Sequence, residues 1–145
     1  MAITMHQTKQ DIANQEVVIG WYCRKYGYTY DRLNDNYLVD YAVYDKSGVV
    51  ALVEVKCHRK YPFNKYNGTM CSVKKRAHTV QYASSIGCDA LMLSRFPCGQ
   101  LRLTDLRHPH TSCRMIHAQR RDKYDSELHF FWHGDASKLL IDCNL

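Results

Sequence analysis

Residues 37–59 read Tyr-Leu-Val-Asp-Tyr-Ala-Val-Tyr-Asp-Lys-Ser-Gly-Val-Val-Ala-Leu-Val-Glu-Val-Lys-Cys-His-Arg. Two runs in this stretch, Tyr37–Tyr44 and Val49–Cys57, are rich in β-branched and aromatic residues, which favour extended structure. The short polar segment Asp45–Gly48 separates them. The pattern predicts a β-hairpin, and it is the strongest structural signal in the chain.

The hairpin brings charged side chains together at its open end. With the turn centred near Ser47, the numbers of opposed residues sum to about 94, which places Asp40 opposite Glu54. Side chains alternate along a strand, so Lys56 points to the same face as Glu54. Two carboxylates held together between apolar strands repel each other and lose solvation, which predicts a bound cation. The alternative is a solvated Glu–Lys pair with Asp40 uninvolved.

An Asp, a hairpin turn and then Glu-Val-Lys within an apolar strand resemble the PD-(D/E)XK nuclease superfamily, with Asp40, Glu54 and Lys56 at the three signature positions. The residue before Asp40 is Val39 rather than Pro, which departs from the superfamily pattern. The resemblance covers residues 7–96. It implies an α/β protein with a restriction-endonuclease-like core, in which helices flank a central mixed β-sheet.

The resemblance also implies an activity, which is metal-dependent hydrolysis of phosphodiester bonds in DNA, with an endonuclease as the first expectation. Asp40, Glu54 and the backbone carbonyl of Val55 would hold Mg²⁺ or Mn²⁺, since oxygen ligands suit such hard cations. Lys56 would orient the attacking water or stabilise the transition state. The alternatives are a phage-type DNA exonuclease, a Holliday-junction resolvase, a non-catalytic nucleic-acid-binding module on the same fold, and a protein whose hairpin charges are accidental. RNA remains open as the substrate.

A helix is predicted before the hairpin, from Thr8 or Asp11 to about Tyr26, where Gly27 ends it. Its mostly apolar stripe includes Glu16. In the resembled superfamily this helix often supplies a further Glu to the metal site, and Glu16 is the matching position. An edge residue of an amphipathic helix is the alternative.

A second helix, predicted for Ser72–Ile86, carries Gln81, which follows Lys56 by 25 residues. The position resembles the Gln of phage-type recombination exonucleases, so the resemblance makes Gln81 a candidate site residue. Those relatives often have Tyr four positions later, where this chain has Ser85.

A basic and aromatic loop follows the hairpin. Such a mixture suits phosphate contact and base stacking, although an ordinary exposed loop has the same composition. Together with two lysines of the second helix, the candidate nucleic-acid-binding residues are His58, Arg59, Lys60, Lys65, Lys74 and Lys75.

Further strands are predicted at residues 28–33, 88–96 and 100–106, and closing secondary structure at 128–133 and 137–141. Between them, His108, His110, Cys113 and His117 have the ligand types of a zinc site. The arginines around them disfavour a cation, so residues 114–123 are interpreted as a basic nucleic-acid surface or a solvated turn.

The length of 145 residues predicts a single domain spanning residues 1–145. Lys and Arg number 20 against 14 acidic residues, and this net charge of +6 favours an anionic partner such as DNA. The seven cysteines lack a C-x-x-C pair, which favours reduced thiols over an iron–sulfur cluster.

No run approaches the ~18 apolar residues of a membrane span, and the N-terminus lacks the apolar core of a signal peptide. We therefore expect no membrane partner and a cytoplasmic location. The resemblance adds a phage origin, with action in the host cytoplasm, and leaves open a homodimer.

Overall fold

A six-stranded sheet with helices on both faces organises the molecule. The computed structural model describes residues 9–116 and 127–143. In chain order, the described elements are α1 (Lys9–Tyr26), β1 (Thr29–Arg32), a 3₁₀ helix (Asp35–Tyr37), β2 (Tyr41–Asp45), β3 (Gly48–Cys57), α2 (Phe63–Tyr66), β4 (Gly68–Ser72), α3 (Val73–Ile86), β5 (Asp89–Arg95), β6 (Leu101–Asp105), β7 (Ser112–Ile116), β8 (Glu127–His133), a second 3₁₀ helix (Gly134–Ala136) and β9 (Lys138–Ile141).

The main sheet is mixed. Its strand order is β1-β2-β3-β5-β6-β9, in which β3 and β5 run parallel and the other neighbours are antiparallel. A smaller antiparallel sheet has the order β4-β8-β7. The parallel pair requires a crossover, and the chain makes it through α3, as a strand–helix–strand unit does.

The predicted hairpin forms, and near its open end it has the predicted register. Tyr41 pairs with Val53 and Val43 with Ala51, so that these paired numbers sum to 94. The register shifts by one between Val43 and Tyr44, and the pairs next to the turn sum to 93. At the turn, the Asp45 carboxylate accepts hydrogen bonds from the backbone N–H and the hydroxyl of Ser47, at 2.7 and 2.6 Å. This side chain closes the turn by bonding two residues ahead, which is the usual role of Asp in such turns.

The first strand of the hairpin begins later than predicted. Residues 35–37 form a 3₁₀ helix, and β2 starts only at Tyr41. The side chain of Asn34 accepts a hydrogen bond from the backbone N–H of Asn36, and Leu38 adopts a left-handed φ of 57°. This polar turn redirects the chain, so the prediction of a strand from Tyr37 was wrong by four residues.

The two faces of the sheet have separate cores. α1 packs on one face, in a cluster that includes Val18, Ile19, Tyr41, Val53 and Val55. α3 and the small sheet cover the other face, in a cluster that includes Leu52, Cys71, Ala83, Met92 and Trp132. Since side chains alternate along β3, Glu54 and Lys56 lie on the face covered by α3 and the small sheet.

The helix ends follow the sequence signals. α1 ends at Tyr26, and Gly27 then takes a φ of 76°. The hydroxyl of Ser72 accepts a hydrogen bond from the backbone N–H of Lys75 at 3.1 Å, which caps the start of α3. No described helix combines the length and the apolar character needed to cross a membrane.

The small sheet was not predicted. Every residue of β4 is buried, so the strand has no alternation of polar and apolar residues to reveal it. A Cβ at Gly68 would collide with the backbone of Trp132, so only glycine allows β4 to approach β8 this closely. β7 takes in part of the segment interpreted as a turn or basic surface, and His117–Lys123 lies outside the described residues.

Candidate active site

The hairpin brings the two predicted carboxylates together at its open end. Asp40 lies immediately before β2, and Glu54 lies within β3. The Asp40 carboxylate accepts a hydrogen bond from the backbone N–H of Val55 at 2.9 Å, which holds it beside Glu54. The arrangement follows from the register, because Asp40 directly precedes Tyr41, whose partner Val53 directly precedes Glu54.

Glu54 is buried in surroundings that disfavour the charged form of its carboxyl group. Its side chain is 3% exposed, and neither carboxylate oxygen accepts a hydrogen bond from any residue that the structure describes. Burial raises the pKa of this carboxyl well above its ordinary value, and the charge of Asp40 raises it further. A carboxylate in this state is stabilised only by a nearby cation.

Lys75, in the first turn of α3, supplies that cation in this structure. Its Nζ lies 3.6 Å from Glu54 Oε2 and 3.9 Å from Asp40 Oδ1. The charge of Glu54 raises the pKa of the Lys75 ammonium group. The sequence analysis interpreted Lys75 as a phosphate contact or solvated surface residue, and it did not predict the bridge between the carboxylates.

The predicted lysine of the motif also faces the site. Lys56 lines a small cavity of about 80 Å³ whose wall includes both Glu54 and Lys75. Burial lowers the pKa of the Lys56 ammonium group, and the charge of Lys75 lowers it further. The structure thus brings together four of the predicted residues, Asp40, Glu54, Lys56 and Lys75, and places the backbone of Val55 beside them.

The small sheet contributes residues that were not predicted at the site. Glu127 and His129, both on β8, line the same cavity as Lys56. Burial lowers the pKa of His129, and the charge of Lys56 acts in the same direction. His129 lies within the predicted closing segment 128–133 and Glu127 lies just before it, but no sequence signal paired β8 with β4.

α1 presents Gln15 to the site. Its side-chain amide donates a hydrogen bond to the backbone carbonyl of Val55 at 3.4 Å and accepts one from the hydroxyl of Tyr41 at 3.5 Å. The predicted neighbour, Glu16, instead accepts a hydrogen bond from the hydroxyl of Tyr30 at 3.0 Å. Gln15 therefore touches the carbonyl predicted as a metal ligand, although neither Gln15 nor Glu16 is among the residues that line the cavity.

The other helical candidate lies away from the cavity. Gln81 is exposed on α3, and its backbone carbonyl accepts a hydrogen bond from the hydroxyl of Ser85 at 3.1 Å. Neither residue is among those that line the cavity with Lys56.

The basic candidates divide into two groups. The ring of His58 stacks on Phe96 with centroids 4.6 Å apart, and burial, aided by the charge of Lys56, lowers its pKa to about 3. Arg59 forms an ion pair with Asp11. The remaining three, Lys60, Lys65 and Lys74, are exposed.

The zinc alternative receives no support from the described residues. His110 stacks on Phe130 at 4.1 Å, and His117 lies outside the described part. Within the described ranges, no group of three or more His, Cys, Asp or Glu side chains is placed to hold a metal ion.

Comparisons with known proteins identify the family and the fold. A family model described as "Phage putative PDDEXK endonuclease" matches residues 1–137. Among solved structures, Hjc, a Holliday junction resolvase from the archaeal hyperthermophile Archaeoglobus fulgidus, is similar with a TM-score of 0.56 and 14% identity, over 86% of this chain and 84% of that chain. This likeness confirms the predicted fold class, a restriction-endonuclease-like core with a mixed sheet flanked by helices. A comparison with curated proteins gives no match.

Proposed function

Because the chain belongs to the family of phage PDDEXK endonucleases, we propose that it is a metal-dependent endonuclease that hydrolyses phosphodiester bonds in DNA. The observation that carries the proposal is the state of Glu54. Its buried oxygens accept no hydrogen bond from the described residues and lie beside a second carboxylate. Such a pair is costly to keep in a folded protein, and cation binding is the function that explains it.

The donor atoms fit Mg²⁺ or Mn²⁺. Asp40 and Glu54 offer carboxylate oxygens, and the Val55 carbonyl accepts a long hydrogen bond from Gln15. Hard divalent cations prefer oxygen ligands of this kind. A divalent ion held there would supply Lewis-acid activation of water and neutralise charge on the scissile phosphate.

The side chains of the protein would position the attacking water and support the metal ligands. Lys56 lines the cavity. Its ammonium group would orient the attacking water and stabilise negative charge on the phosphate in the transition state. Gln15 would hold the Val55 carbonyl in place. The supporting roles of Glu16 and Gln81 stay predictions.

The DNA would approach over exposed lysines. Lys60 and Lys65 lie in the segment that leaves β3, and Lys74 adjoins Lys75 at the start of α3. Exposed lysines neutralise phosphates without reading bases, so we expect affinity to fall steeply with salt. The inward-facing ring of His58 and the ion-paired Arg59 are the weaker members of the predicted set.

Junction resolution is the second candidate, because the fold resembles that of the Archaeoglobus fulgidus resolvase. An enzyme that cuts two strands of a junction would act as a homodimer. A four-way junction and a matched linear duplex, tested together with sedimentation of the protein, separate this candidate from a general endonuclease. In either case we expect the protein to act on DNA in the host cytoplasm.

The test is cleavage of circular and linear DNA, single- and double-stranded, in Mg²⁺ or Mn²⁺. We expect the wild type to cut circles and Lys56→Ala to lose about 100-fold or more in rate, as when one transition-state contact is removed. Lys46→Ala, in the exposed turn at the other end of the hairpin, is the matched control. Degradation of linear forms only would favour an exonuclease, and undiminished cleavage by Lys56→Ala would refute the proposal.

A further inference from the structure

Lys75 occupies the position where a cation is required. Its Nζ lies within 3.6 Å of Glu54 Oε2 and 3.9 Å of Asp40 Oδ1, so a single ammonium group serves both carboxylates. Among the described residues, no other Lys, Arg or His forms an ion pair with either carboxylate. Lys56, although it lines the same cavity, is not ion-paired with either of them at this range.

The two partners differ in their access to solvent. The Glu54 side chain is 3% exposed and that of Lys75 is 45% exposed. Lys75 therefore lines the cavity with a side chain that is partly in contact with solvent. A long, flexible side chain in this position can withdraw outward without disturbing the core.

A metal ion and the Lys75 ammonium group cannot share these oxygens. Each neutralises the same pair of charges, and placing both at the carboxylates would bring like charges into contact. From this exclusion we propose that Lys75 is a resident counter-cation: it holds Asp40 and Glu54 together in the metal-free protein and must leave them when a divalent ion binds. The inference rests on the proposed metal site.

The proposal has a thermodynamic consequence that ordinary metal-site residues do not share. Removing a residue that competes with the ion strengthens metal binding, whereas removing a supporting residue weakens it. Losing one partly screened ion pair corresponds to roughly a tenfold change in affinity. The variant Lys75→Gln should therefore bind metal about tenfold more tightly than the wild type.

The experiment is titration of the DNA-free protein with Mn²⁺ at mildly alkaline pH, followed by calorimetry. It compares the wild type with Lys75→Gln, with Glu54→Gln and with Lys46→Gln, which makes the same change of charge in the exposed turn. We expect tighter binding only in Lys75→Gln and loss of binding in Glu54→Gln. If Lys75→Gln binds Mn²⁺ equally or less tightly while Glu54→Gln abolishes binding, the role of Lys75 is refuted and the metal site stands. If the wild type binds no Mn²⁺, or Glu54→Gln binds as the wild type does, the proposed metal site fails, and the inference fails with it.

Thermal unfolding gives a second readout. Without Lys75, the charge of the buried Glu54 is uncompensated, so Lys75→Gln should unfold at lower temperature than the wild type in a chelator. Adding Mn²⁺ should raise the unfolding temperature of this variant again. The double variant Lys75→Gln/Glu54→Gln removes both charges and should regain stability without metal, which keeps the test available even if Lys75→Gln folds poorly. An unchanged unfolding temperature of Lys75→Gln in the chelator would contradict the proposal.

Discussion

The substitution Glu54→Gln should abolish cleavage and yet stabilise the metal-free protein. Glu54 is buried, its oxygens accept no hydrogen bond from the described residues, and its pKa is raised by burial and by Asp40 even with Lys75 nearby. The ionised carboxyl therefore costs stability in the folded state. A glutamine of nearly the same shape removes the charge, and its amide can donate a hydrogen bond to Asp40.

The magnitude follows from the burial. An unsatisfied buried polar group costs about 1–3 kcal/mol, and the partial compensation by Lys75 keeps the estimate for Glu54 within that range. For a protein of this size, a gain of that amount raises the unfolding temperature by roughly 3–10 °C. The assay is thermal unfolding in a chelator at neutral pH, with Asp89→Asn, a change at an exposed carboxylate, as the control.

The pH dependence of stability is a second test of whether Glu54 destabilises the metal-free protein. A glutamate whose pKa is raised in the folded state keeps its proton while the unfolded chain has already released it. The stability of the wild type therefore falls as the pH rises from the ordinary glutamate range through the raised pKa of Glu54. Glu54→Gln lacks this loss, so the difference between the two proteins should grow as the pH rises through the same window.

Metal should reverse the order of stability. A ligand at 100 times its dissociation constant adds about 2.7 kcal/mol to the protein that binds it, and only the wild type retains the complete site. With saturating Mn²⁺ the wild type should then equal or exceed Glu54→Gln. The reasoning is refuted if Glu54→Gln is the less stable protein in the chelator, or if Mn²⁺ stabilises both proteins equally.

Two further predictions concern neighbouring side chains. Gln15→Leu should weaken Mn²⁺ binding about tenfold, because the substitution removes the hydrogen bond to the Val55 carbonyl. Glu16→Gln should change the affinity for Mn²⁺ little. If calorimetry gives the opposite ranking, Glu16 is the supporting residue. The exposed thiols of Cys98 and Cys143 lie 3.2 Å apart, so oxidised glutathione should form a disulfide between them and remove two reactive thiols in a thiol titration. Cys143→Ser should prevent this bond, and an unchanged thiol count in the wild type would disprove it.

The central hairpin could be predicted because its determinants are local. The turn chemistry of Asp45–Gly48 closes the hairpin, and the alternation of residues along β3 identifies its two faces. A one-residue register shift between Val43 and Tyr44 then gives the pairing near Tyr41 and Val53, and Asp40 lies beside Glu54. A one-residue slip would have moved Glu54 to the face under α1, where the apolar cluster leaves no place for a charge. The sequence pattern therefore predicts both the pairing of β2 with β3 and the face on which the charged residues lie.

The small sheet could not be predicted, because its pairing is distant in sequence. β4 pairs with β8 from Gly68–His133 to Ser72–His129, about 60 residues apart along the chain. The residues of neither strand indicate which strand it pairs with. Because β4 is buried on both faces, it lacks the alternation of polar and apolar residues that identifies a strand. As a result, neither Glu127 nor His129 could be placed at the cavity of Lys56 from the sequence.

The two discrepancies on the helices share one cause. The sequence selected Glu16, whereas the adjacent Gln15 touches the Val55 carbonyl. It assigned one role to Lys74 and Lys75, whereas Lys75 pairs with the carboxylates and Lys74 is exposed. Adjacent residues point about 100° apart around a helix. Neither helix has a sharply divided apolar face: α1 buries Gln15 and Gly20 together with its apolar residues, and α3 buries only Thr79 and Ala83. With so weak a stripe, rotation about the axis is set by contacts with the sheet. The strand period therefore identifies the carboxylates of this site from sequence, and the side chains that the helices bring to those carboxylates emerge only from the packing.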